Sequence, residues 1–230
     1  MDTRTIRRTS VVLPCPLAPD RYLSPVTSLS DGHGQLAAFR YTATDLRELH
    51  LLDTDLQDGR ISGLCTERTR LEKLRIDSVQ FSGCDLASLR WSDSRLSRTV
   101  FRDCTLVGAA LDDLTLDNVL FENCTLDYSV LTRIRCTGPV IFSACSLRET
   151  VFATADARTA LLDGCTLWLT EFDGGTYRGL DLRGNDLSRI RGLSHLQQIV
   201  IDRTQTAQLA EALAVELELG FGDGGGGWRG

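Results

Sequence analysis

The sequence has no uninterrupted apolar run approaching the roughly eighteen residues of a membrane-spanning helix, so no contact with a membrane is expected. Histidine is scarce: His33, His50 and His195 fall far apart and offer no shared base or ligand set. Basic residues are not in excess. A formal charge of −6 and a pI near 5.1 exclude direct nucleic-acid binding by phosphate neutralisation. The run Gly224 to Gly227 lacks both the Lys-Ser/Thr pair of a phosphate loop and a strand before it, which leaves it a tail. Export signals are missing too, because the apolar stretch after Arg7 and Arg8 is short and broken by Pro14 and Pro16. A cytoplasmic protein is expected. Eight cysteines are present, but disulfide scaffolds are short and poor in core, whereas this chain has 230 residues, 42% of them hydrophobic. Its thiols are expected to be reduced.

What the chain does have is a beat of five. Apolar centres recur from Leu46 through Leu51, Leu56 and Ile61 to Leu126 and Leu131, with only Thr66 and Cys136 weak. The count slips by one residue within 137 to 141 and resumes from Phe142 to Leu187. Two residues before each centre the side chain is usually small or aliphatic, as in Ala109, Ser129 and Ala155. Helices repeat at 3.6 and strands at 2, so neither explains the pattern. A chain that turns a corner every five residues does, with the centre and the residue two before it pointing inward. Four such sides close a coil of about twenty residues, and residues one coil apart then stack. Phe81, Phe101, Phe121 and Phe142 form one column, and Cys84, Cys104, Cys124, Cys145 and Cys165 another. Parallel stacking suits neither a tetrahedral metal site nor disulfide geometry, so the cysteines are read as small buried hydrophobes. The glycosylation pattern Asn123-Cys124-Thr125 loses its force on the same ground, since its cysteine belongs to the buried column.

The units CDLAS, CTLVG, AALDD, CTLDY and NDLSR resemble the pentapeptide-repeat proteins, whose unit is written A(D/N)LXX. The resemblance implies an all-β fold, a right-handed quadrilateral β-helix of about seven coils over residues 41 to 201. It also implies function. The best-understood relatives are dimeric rods that resemble DNA in width and charge and occupy the DNA-binding saddle of DNA gyrase, inhibiting it or protecting it from topoisomerase poisons. The present chain is similar to the loopless, actinobacterial type.

Residues 1 to 40 are expected to cover the N-terminal end or form a loose arm. Residues 202 to 220 read as a helix opened by Asp202 and Gln205, with Leu209, Leu213 and Leu217 in one apolar stripe that either caps the rod or joins two copies as a homodimer. Residues 221 to 230 read as a disordered, glycine-rich tail. No catalytic constellation, cofactor motif or metal site is found. Charge position is more informative: the window 103 to 132 holds no Lys or Arg and six acids, Asp103, Asp112, Asp113, Asp117, Glu122 and Asp127. All fall on outward positions. Either they form a surface made for a basic protein partner or they are the polar residues that water-facing positions require anyway. Two functions follow, a gyrase-directed DNA mimic and a scaffold whose flat faces hold another protein.

Overall fold

The computed structural model describes residues 2–14, 22–30, 34–42 and 45–219. Short parallel strands stack residue upon residue: Phe101 pairs with Phe81 and Phe121, and Trp91 with Leu71 and Leu111. The product is a parallel β-solenoid of about seven turns with one short helix at its C-terminal end. At about 4.8 Å per turn the rod is about 35 Å long.

Each side of the coil is made by one pentapeptide. The centre and the residue two before it are buried, as in Cys84 and Leu86 or Leu114 and Leu116. The residue two after the centre turns the corner in the left-handed region, with φ near 50–60° at Asp93, Asp103, Asp113 and Asn123. Asp and Asn tolerate that conformation better than other side chains, which explains their frequency there. The columns are closely packed. Rings of Phe81, Phe101, Phe121 and Phe142 lie 4.7 to 4.8 Å apart and within 9° of parallel.

Cysteine fills the inward position beside them for a reason of size and bonding. Cys124, Cys145 and Cys165 each point the thiol at the Phe carbonyl of the preceding coil, at 3.4 to 3.5 Å. Asn185 takes the last rung, donating to Leu162 O and Leu182 O, and so ends the ladder without an orphan group. All seven described cysteines are free thiols.

The one-residue slip sits where Thr137, Gly138 and Pro139 join two strands. Cys136 still pairs with Leu116, whereas Val140 pairs with Val119. Glycine at 138 leaves room for the Asp117 carboxylate, since a Cβ there would lie 2.0 Å from Asp117 Oδ1 and push it aside.

The N-terminal region differs from the expectation. Ser24–Val26 and Gln35–Ala37 already pair with coil strands, so the solenoid starts some fifteen residues before position 41. Its first turn does not spell the pentapeptide, which hid it. Residues 2–13 cover no end. They form an antiparallel hairpin of β1 (Asp2–Ile6) and β2 (Thr9–Leu13), laid along the outside of the rod. Its floor is a column of outward residues, Val100, Leu120, Ile141 and Leu161, each the neighbour of a Phe-column residue and each apolar where water-facing residues are otherwise polar. Val11 and Leu13 bury them completely or nearly so. The glycine-rich tail expected at 221 to 230, and His33, lie outside the described residues.

Candidate protein-binding surface

The six acids of the 103 to 132 window lie close in sequence but do not make one patch. Successive pentapeptides occupy successive sides of the coil. Glu122 and Asp103 therefore belong to the Phe side and its corner, and Asp127 to the Leu86–Leu126 side. Asp112 and Asp113 lie on the Trp91 side and its corner, and Asp117 on the fourth side. They form a girdle round the rod, and any flat partner meets one or two of them at a time.

Half of the girdle is also neutralised by arginine and the other half hydrogen-bonded to neutral side chains, because a residue's nearest neighbours in space include those about twenty positions away. Glu122 is clamped by Arg4 of the hairpin and by Arg102 at 2.6 Å. Arg133 reaches Asp112 at 2.5 Å and Arg135 reaches Asp113 at 2.7 Å. Asp103 accepts from the Asn123 amide at 2.5 Å, and Asp127 from Ser146 Oγ at 2.6 Å. Asp117 accepts from Asn118 at 2.9 Å. All four arginines lie outside the sequence window, which is why a count along the chain missed them.

At the C-terminal end, α1 (Thr206–Glu216) caps the last coil through one face. A parallel solenoid ends with unpaired N–H and C=O groups. Gln205, just before the helix, donates to Leu182 O and Asn185 O at 3.0 and 2.8 Å. Gln208 accepts from Leu187 N, and one Glu216 carboxylate oxygen accepts from Gly192 N and Leu193 N. Leu209 and Ala212 pack on the core from the same face. The predicted single stripe is thereby divided: Leu209 faces the rod, whereas Leu213 and Leu217, about 40° and 80° further round, remain 42% and 58% exposed. Val215 and Leu219 are exposed as well, on the opposite flank of the helix.

Most coil edges are spelled by five residues, coils of about twenty residues stack in parallel, and residues 74–138 match the family model described as Pentapeptide repeat region. Over that segment the chain is similar to the pentapeptide-repeat family. Similar solved structures include a trypsin-treated form of QnrB1, a plasmid-mediated fluoroquinolone resistance protein. It is 14% identical, with 75% of this chain and 97% of that one covered and a TM-score of 0.44. HetL, a pentapeptide-repeat protein involved in heterocyst differentiation regulation from the cyanobacterium Nostoc, is 16% identical. There 73% of this chain and 87% of that one are covered, with a TM-score of 0.27. Among curated proteins none matches.

Among the described residues the hairpin occupies the Phe side of the rod, leaving three sides and the helix face open to partners. Sequence reading passed over the aromatic groups on them. Tyr128 and Trp168 are 59% and 49% exposed, and the Arg189 guanidinium lies 5.3 Å from the Trp168 ring centre. Val130 is exposed nearby on the next side. Their signal was available, since large apolar letters stood at outward positions. Among the described residues no group of three or more His, Cys, Asp or Glu is placed to hold a metal ion, and no helix is long and apolar enough to cross a membrane.

Proposed function

We propose that this protein is a non-enzymatic docking rod. Two copies join through the exposed face of α1, and the loop-free sides of the β-helix bind another protein, with DNA gyrase as the first partner to test. The observation that carries this reading is the division of labour on α1. Capping uses Gln205, Gln208, Ala212 and Glu216, which leaves Leu213, Val215 and Leu217 exposed with no role in the rod itself. Leu213 and Leu217 lie one turn apart and present their exposed apolar surface side by side, and such a patch marks an interaction site. The gyrase element rests on the resemblance of the repeat units to the pentapeptide-repeat proteins.

Purified gyrase is assayed for supercoiling with and without a poison as the rod is added. An unchanged rate and unchanged poison sensitivity at a large excess of rod dismiss gyrase. Changing the six girdle acids to Asn and Gln should alter binding only modestly, because Asp112, Asp113 and Glu122 are already paired to arginine.

A second reading, a scaffold for a different protein, is favoured by Tyr128, Trp168 and Arg189, the residue types that dominate binding hot spots. Trp168→Ala should then abolish capture of that partner while leaving gyrase activity as the parent rod leaves it.

A further inference from the structure

The N-terminal hairpin is bound to the rod without being part of it. β1 and β2 form a sheet of their own, separate from the solenoid ladder. A lone two-stranded hairpin is marginally stable in water, so this one depends on the face beneath it. Its register puts Arg4, Ile6, Val11 and Leu13 on the underside, and Thr3, Thr5, Ser10 and Val12 on top. The underside matches the rod in both apolar and polar detail. Val11 and Leu13 meet Val100, Leu120, Ile141 and Leu161, and Arg4 and Arg7 reach Glu122 and Asp163. One backbone group takes part: Val12 N donates to Asn118 Oδ1 at 2.8 Å.

Leu13 lies in the cluster with Val100, and the chain re-enters the solenoid at Ser24, which pairs with Phe39 and so lies four coils away. Four coils are about 19 Å, whereas the ten or so residues between Leu13 and Ser24 can reach about 35 Å when extended. The hairpin therefore has the reach to sit on a neighbouring rod. A second copy also supplies the one partner known to be complementary, because the hairpin and its groove come from the same chain.

We propose that the Val100–Leu161 column is a hairpin-docking groove that a second copy of this chain fills in trans, the two copies exchanging β1–β2. Exchange of an identical element is a low-cost route to a dimer, since every contact of the closed form is made again. This interface is distinct from α1, and it shuts the Phe side to other partners whether filled in cis or in trans.

Charge exchange separates the two arrangements. On a Leu213→Asp background, which removes the α1 interface, one full-length chain carries Arg4→Glu and another Glu122→Arg. In either alone, like charges meet in the closed form. When the two are unfolded and refolded together, each hairpin finds its opposite charge only on the other chain. The expected result is a species of twice the monomer mass containing one of each, by light scattering and mass spectrometry, with each variant alone largely monomeric. If the mixture stays monomeric while circular dichroism shows both chains folded, exchange is overturned and the hairpin is a strap in cis. The pair Arg7→Asp and Asp163→Arg repeats the test at the hairpin tip should Glu122→Arg fail to fold.

Discussion

A single side chain in this molecule is read by its place in a pentapeptide. Phe121 is a rung between two parallel rings at 4.7 and 4.8 Å, so Phe121→Ala removes two stacking contacts as well as its buried area. A loss of about 3 to 5 kcal/mol is expected in denaturant unfolding. Asp117→Ala, four residues earlier and outward, should change stability by less than about 0.5 kcal/mol. Equal effects would mean that the inward register is misassigned. Ionisable groups obey the same logic. Burial alone would raise the Asp181 carboxyl, but its bonds to Arg183 outweigh burial and hold it below the usual carboxylate range. The stability it contributes is complete above the unfolded value near 3.9 and is lost as pH falls through the lower folded value. The thermal midpoint of the parent should therefore drop below about pH 4, and Asp181→Asn should show a shallower decline over the same range.

Elements here are stabilised from outside themselves. No pentapeptide side is long enough to stand alone, and α1 is an eleven-residue helix, near the limit for isolated stability. It holds because it completes the last coil. Gln205→Ala would leave Asn185 O buried without that donor and Leu182 O with Asn185 Nδ2 alone, at a cost of about 1 to 3 kcal/mol. Hydrogen exchange should show the loss concentrated in coils after residue 160, since each coil contacts only its neighbours. Leu213→Asp, on the other face of the same helix, should leave that exchange pattern intact and turn dimers into monomers by light scattering. Loss of the pattern in both variants would place Leu213 in the cap.

At the scale of the whole rod one core runs through the coils, apart from the smaller cluster under the hairpin, and the buried cysteines report on it. Cys84 is raised by its bond to the Cys104 thiol and by burial, and burial lifts Cys136 to about 12. The column thiols are all buried, so their alkylation in the native protein at pH 8 should proceed only through opening of the coils. Its rate should rise in step with unfolding as urea is added. Fast labelling of Cys124 in the native state would mean that the centre of the rod opens locally, without its ends. Coupling across coils also comes from the hairpin, which ties Glu122 to Asp163 over two turns and so gives the solenoid a contact that nearest neighbours cannot supply.

The period of five, the four columns and the slip were legible in the sequence because they are properties of order along the chain, and a coil of constant length turns spacing directly into stacking. Cys124 could be placed beside Cys104 and Cys145 by counting alone. The meaning of the charges could not. Asp112, Asp113 and Glu122 stand in a stretch without a basic residue, yet Arg133, Arg135, Arg102 and Arg4 reach them from adjoining coils and from the hairpin. Where the first fourteen residues lie was equally hidden, although the apolar letters at 100, 120, 141 and 161 marked a place that something had to cover. Which segment covers it depends on contacts between residues more than a hundred positions apart, and these are settled only when the rod has formed and its outer column meets the hairpin.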